Sequence, residues 1–242
     1  MGVLLEVHEI SKRFGGIIAV EDFSFYVKEK EILGLIGPNG AGKTTVFNLI
    51  MGEVRQDKGR VFFNGKDITD YPTHKRVNLG IARSYQIPRA FKEMTLYDNL
   101  RMSMLPDSIR SNLTMRGYDP LSIKKVAIET GIEEFLLKYP EEVPLAVLRR
   151  TEFAMALLKN PRLILLDEIF SGLTTTEINS LIKLIKQKRD EGMTFIVIDH
   201  NLRAISTLVD RVVVMNFGRK IAEGLYQEII NNENVKKAYL GG

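Results

Sequence analysis

One nine-residue stretch, GPNGAGKTT at positions 37–45, limits this chain more than any other. It fits the pattern G-x-x-x-x-G-K-[ST], with the strand-like EILGLI before it and the helix-like TTVFNLIM after it. Its glycines let the backbone curl so that successive amides point inward at phosphate oxygens. The helix that follows adds its positive N-terminal end. In that setting Lys43 is placed to reach β- and γ-phosphates, and the Thr44 hydroxyl to hold Mg²⁺. Asn39, Gly40, Ala41, Gly42 and Thr45 complete the expected cradle for a nucleotide, and ATP with Mg²⁺ is the expected ligand pair.

A second stretch, RLILLDE at 162–168, belongs with the first. Its apolar run describes a buried strand that delivers Asp167 to its carboxyl end, beside the phosphate loop. Asp167 is expected to hold the magnesium ion through water, and Glu168 to orient and deprotonate an attacking water.

Around these motifs the chain alternates strand and helix. LLEVHEI, IIAVEDFSFYV, EILGLIG and GRVFFNGKDI read as strands from their alternation and β-branched residues. From about Leu79 to Asn160 the pattern is mostly helical, interrupted by prolines. Strand RLILLD, helix TEINSLIKLIKQKRDEG, strand MTFIVID and a helix from Asn201 towards Val209 follow, then strand DRVVVMN, a hairpin through FGRKIAEG and a polar helical tail. Gly192 stands where a helix C-cap is expected. Alternation at both ends implies a parallel sheet with crossover helices, and a middle segment inserted between them.

Composition excludes several classes. The 242 residues carry a net charge of +4, too mild for a nucleic-acid partner, and there is no cysteine for a thiol nucleophile, disulfide or thiolate metal site. No apolar run approaches the roughly 20 residues a membrane span requires. The N-terminus lacks a basic segment followed by a signal core. Glu6 breaks the myristoylation pattern that Gly2 begins. A link to a membrane is therefore expected through another protein.

The order GPNGAGKTT, Gln86 in ARSYQ, ILLDE and His200 in FIVIDH resembles the ATP-binding subunits of ABC transporters over nearly the whole chain. FGGIIAVEDFSF, ARSYQIPRAFKEMTLYDNL, DRVVVMNFGRKIAEG and AYLGG resemble the branched-chain amino acid importer branch. The resemblance implies an α/β P-loop NTPase core with an N-terminal antiparallel β-subdomain and an inserted helical subdomain. The whole chain then forms one ATPase domain, with residues 1–85 and 161–242 as the core lobe and about 86–160 as the helical lobe. It also implies that Phe14 stacks on adenine with Val20 beside it, that Gln86 touches magnesium and the attacking water, and that His200 hydrogen-bonds the γ-phosphate.

The same resemblance exposes a departure. The family signature, leucine-serine-glycine-glycine-glutamine, falls here on Val143, Pro144, Leu145, Ala146 and Val147. Proline has no hydroxyl and no backbone donor. Leucine and alanine add side chains where glycine admits a phosphate close to the backbone. Valine cannot hydrogen-bond through its side chain. The helix is expected to persist while its phosphate-reading tip is lost. Ile169 stands where the family has proline, and Thr174 where aspartate or asparagine is usual.

The function so implied is ATP hydrolysis at the cytoplasmic face of the membrane that energises separate permease subunits, which import branched-chain or other amino acids. A signature acts on the nucleotide held by the opposite subunit. A second ABC ATPase subunit with an intact signature is therefore the expected partner, a heterodimer rather than a homodimer. A non-transport ABC ATPase and a regulatory nucleotide-binding subunit with little hydrolysis of its own are the other classes open at this point.

Overall fold

The computed structural model describes residues 2–84, 90–104 and 119–240. Two sheets organise them. In the first, β1 (Val3–Phe14), β2 (Ile17–Lys28), β4 (Lys58–Phe63) and β5 (Lys66–Asp67) run antiparallel in the order β2-β1-β4-β5. The second has the order β10-β9-β3-β8-β7-β6, built from β3 (Ile32–Ile36), β6 (Ile81–Arg83), β7 (Leu163–Asp167), β8 (Thr194–Ile198), β9 (Arg211–Asn216) and β10 (Arg219–Gly224). All its pairings are parallel except the β9–β10 hairpin at one edge. β3, β7 and β8 are buried at every position, as expected of strands covered on both faces.

One face of the parallel sheet packs against the antiparallel sheet and α1 (Lys43–Met51), through residues such as Leu33, Phe47, Leu165 and Ile196. The other face carries α5 (Leu145–Leu158), α6 (Thr175–Asp190) and α7 (Leu202–Leu208), with Phe153, Ile185 and Ile205 at the contact. Between β6 and β7, helices α3 (Leu96–Ser103) and α4 (Pro120–Thr130) join the first half of α5 around a separate cluster of Leu96, Leu100, Ile123, Ala127 and Val147. Lys188 on α6, itself buried, ties these helices to the sheet layer by ion pairs of 2.8 Å to both Glu129 and Glu191. Two short helices, α8 (Tyr226–Ile229) and α9 (Glu233–Leu240), finish the chain.

The sequence reading differs from this arrangement in the segment around Leu79. Helix α2 (Thr73–Asn78) lies just before it, and β6 occupies positions assigned to a helical stretch. A three-residue strand shows no period of its own; it exists because Ile81, Ala82 and Arg83 pair with Leu163, Ile164 and Leu165. Thr174 is the N-cap of α6, where its side chain and that of Glu177 exchange hydrogen bonds with each other's backbone N–H. Gly192 follows that helix at φ 116 and donates its N–H to the Arg189 carbonyl.

Helix α2 supplies one side chain that composition alone assigns to the surface. Arg76 is 1% exposed and donates to the carbonyls of Tyr71, Thr69, Leu49 and Ile50, each at 2.8 Å. Leu49 and Ile50 lie in the last turn of α1, where a cation is favoured by the helix dipole. Burial lowers the Arg76 pKa to about 10, so it remains a cation at neutral pH. Arg76→Met removes four hydrogen bonds and a buried donor group, and is expected to destabilise the chain by about 3 kcal/mol. Thermal unfolding checks this: a fall in Tm of roughly 6–12 °C is expected for a chain of this size.

Candidate functional site

The phosphate loop leaves the carboxyl end of β3 and closes on α1. Gly37 and Gly42 adopt φ 153 and φ 105. A Cβ at Gly37 would stand 2.0 Å from the Met215 carbonyl oxygen, and one at Gly42 would stand 2.2 Å from that of Ala19. Glycine is required at both positions for conformation and for space. Lys43 folds back across the loop, its Nζ donating to the carbonyls of Gly37 at 2.7 Å and Pro38 at 2.8 Å. Burial lowers its pKa, and the nearby charges of Glu168 and Asp167 oppose that shift.

Residues 39–45 line a cavity of about 560 Å³ together with Ile17, Ile18 and Ala19 on one wall and Glu168, Ile198 and His200 on another. Phe14 stands half-exposed at the end of β1, paired with the cavity residue Ile17 across a two-glycine turn, with Lys12 Nζ 5.5 Å from its ring centre. Val20 does not share this position. It is fully buried in the core between the sheets, whereas Ile17, Ile18 and Ala19 line the cavity. Gln86 lies outside the described residues.

Asp167 and Glu168 occupy the end of β7. Asp167 is 2% exposed; its Oδ2 accepts from Arg83 Nη2 at 2.7 Å and its N–H donates to Ser84 Oγ at 3.3 Å. Burial raises the Asp167 pKa, and the Arg83 hydrogen bond and charge pull it back down. Glu168 has φ 51, a left-handed backbone that turns its carboxylate towards the end of β8. There its Oε1 lies 3.0 Å from His200 Nε2, while its N–H donates to the Ile198 carbonyl. Buried Asp199 fixes the adjoining turn by accepting from the N–H groups of Phe170 and Asn201, each at 2.9 Å. Arg83, Ser84 and Asp199 were not read from the sequence. Only the position of Asp199, directly before His200 at a strand end, could have signalled its role.

The donor set suits a magnesium ion held against phosphates. Among the described residues no three carboxylate, histidine or cysteine side chains converge as a metal cage. Magnesium bound through substrate phosphates and waters needs only one or two protein oxygens. Among the described residues Thr44, exposed on the cavity wall, and Asp167, at the end of β7, could supply such oxygens. The charges of Glu168 and Asp167 act on Lys43, so the cation and the anions are concentrated at one end of the cavity.

The stretch Val143–Val147 leads into α5. Pro144 occupies the N-cap position without a side-chain cap, and its carbonyl accepts from the N–H groups of Val147 and Leu148. Ala146 and Val147 turn into the core, whereas Leu145 is 45% exposed and packs beside Gly172. The first turn of this helix therefore presents an apolar side chain to its surroundings. Arg149 and Glu152, one turn further on, are buried.

A phosphate loop on β3, a carboxylate pair on β7, a histidine after β8 and a helical insertion define an ATP-binding cassette. By sequence the chain belongs to the ABC transporter family, whose model matches residues 20–171, and it therefore has the ATP-hydrolysing cassette that powers transport. A second model, for branched-chain amino acid ATP-binding cassette transporters, matches residues 219–242. The chain is 37% identical to the lipopolysaccharide export system ATP-binding protein LptB of Haemophilus influenzae, over 98% of this chain and 97% of that one. It is 34% identical to the high-affinity branched-chain amino acid transport ATP-binding protein BraF of Pseudomonas aeruginosa, over 98% of each. Its structure is similar to that of a nucleotide-free ATP-binding cassette from an ABC transporter, with a TM-score of 0.88 and 28% identity, covering 99% of this chain and 100% of that one. No described helix is long and apolar enough to cross a membrane.

Lys43→Ala removes the cation from the phosphate end of the cavity. A charge-assisted contact contributes roughly 1.5–3 kcal/mol, so the Kd for Mg-ATP is expected to rise about ten- to a hundredfold. Calorimetric titration of the variant measures it, and an unchanged Kd would remove the nucleotide from this cavity.

Proposed function

We propose that this chain energises the import of branched-chain or other amino acids through separate permease subunits, acting at the cytoplasmic face of the membrane. The observation that carries the solute class is the match of residues 219–242 to the branched-chain amino acid family. The likeness to LptB supports a second reading, export of a lipid-linked substrate, on the same ATPase chemistry.

In the proposed reaction Phe14 stacks on adenine by its π-face. Residues 39–45 bind the phosphates. Thr44 and Asp167, joined by Gln86, would hold a magnesium ion, which would neutralise charge on the phosphate oxygens. Glu168 takes a proton from the water whose oxygen attacks the γ-phosphorus, while the bond to the β-phosphate oxygen breaks. His200 holds the Glu168 carboxylate through one ring nitrogen and reaches the γ-phosphate with the other. A cavity of about 250 Å³ where α1 and β6 meet α3 and α5, lined by Met51, Ala82, Ser103, Met155 and Ala156, supports docking of the permease at this junction. The lobes assigned at 1–85 with 161–242 and at about 86–160 would meet there.

Glu168→Gln is expected to keep ATP binding and cut single-site turnover about 10²-fold or more. In cells carrying the transporter, the same variant should abolish amino acid uptake. Retained uptake, with loss of an exported lipid-linked substrate instead, would establish the second reading.

We also propose a heterodimer, because an apolar α5 tip without cap or hydroxyl cannot grip the partner's γ-phosphate. ATPase activity is expected to be weak for the chain alone and to rise strongly on mixing with a subunit that has an intact signature. The triple change Pro144→Ser, Leu145→Gly and Ala146→Gly should raise the rate of the single chain. Rapid turnover by the unmodified chain as a dimer would exclude this assignment.

A further inference from the structure

Arg83 ends β6 with its side chain only 4% exposed, and its guanidinium spans two elements of the site. Nη2 donates to Asp167 Oδ2 at 2.7 Å; Nη1 donates to Asn48 Oδ1 at 2.6 Å and reaches Glu53 Oε2 at 3.3 Å. The guanidinium also lies over the Phe47 ring, 5.6 Å from its centre. Phe47 and Asn48 belong to α1, the helix that opens with Lys43 and Thr44. One rigid planar group therefore sets the distance between the strand end that carries Asp167 and the helix that carries Thr44.

A buried ion pair is a weak source of stability, since desolvation offsets most of its attraction. Its geometry is a different matter. A guanidinium fork fixes two acceptors in one plane, which the point charge of a lysine cannot do. We propose that Arg83 is a positioning residue for magnesium: it occupies Asp167 Oδ2, leaves Oδ1 for a metal-bound water, and holds that oxygen at a set distance from Thr44. The inference rests on the reading of Asp167 as a magnesium-holding residue.

The test uses the full chain with Glu168→Gln to stop turnover, and a fluorescent ATP analogue as probe. Binding is measured in EDTA and then as Mg²⁺ is titrated. Outer-shell partners of metal ligands commonly change metal affinity by about 10–100-fold. Arg83→Gln is therefore expected to raise the half-saturating Mg²⁺ concentration about tenfold while affinity in EDTA stays within about twofold. Arg83→Lys, which keeps the charge and loses the fork, should recover only part of that loss. Asn48→Ala frees one arm of the fork without removing the cation; it should shift the Mg²⁺ dependence in the same direction, and it replaces Arg83→Gln if that variant does not fold. An unchanged Mg²⁺ dependence, full recovery with lysine, or an equal fall of affinity in EDTA and in Mg²⁺ would each overturn the proposal. Asp167→Asn separates the two readings. If it shifts the Mg²⁺ dependence and the Arg83 variants do not, Arg83 has no positioning role. If it produces no shift, the assignment of Asp167 fails, and this inference with it.

Discussion

Side-by-side parallel pairing of β3, β8 and β7 is the constraint on which the rest of the molecule depends. Leu33 pairs with Ile196 and Gly34 with Val197, while on the other flank of β8 Leu166 pairs with Val197 and Asp167 with Ile198. This register brings the carboxyl ends of three strands to one edge. The phosphate loop, the carboxylate pair and His200 all leave the sheet from that edge, although more than a hundred residues separate the first from the others. A slip of one residue in β7 would exchange Asp167 with Leu166 across the faces of the sheet and remove the carboxylate from the site.

Within that edge, charge is arranged by burial rather than by number. Lys43, Asp167 and Asp199 are all withdrawn from water, and burial opposes the charged form of each. Local partners oppose that effect: the Arg83 hydrogen bond and charge at Asp167, backbone N–H groups at Asp199, and the charges of Glu168 and Asp167 at Lys43. An exposed pair such as Arg55 and Asp70 has an ordinary 2.9 Å separation, yet water screens it and it positions nothing beyond itself. The contrast explains why so few of the chain's charged residues shape its chemistry.

Much of this was readable from the residues. GPNGAGKTT and RLILLDE declared the strand-to-loop connections because glycine spacing and a terminal carboxylate have few other uses. Fully apolar runs declared buried parallel strands. The apolar residue types at Pro144–Val147 were readable directly, and they form the first turn of α5 and the residue before it. What escaped depends on contacts between distant segments. β6 is defined by its partner strand and has no pattern of its own. Arg76 and Arg83 are indistinguishable from surface arginines until the fold surrounds them. Val20 is buried one residue from the cavity wall, because the facing of a strand residue is set by packing and not by its place in a motif.

The caging of Arg76 against the last turn of α1 has a consequence for how folding and ligand binding are linked. That arginine satisfies the negative end of the helix, while the positive end opens on the phosphate cavity. The fold thus meets one electrostatic demand of α1 from within the chain and leaves the opposite demand to be met by an anion. A ligand that binds only the folded form adds its own binding free energy to stability, about 2.7 kcal/mol at a hundred times its Kd. By this linkage a bound nucleotide would act as a structural component of the cassette, its contribution to stability set by its concentration.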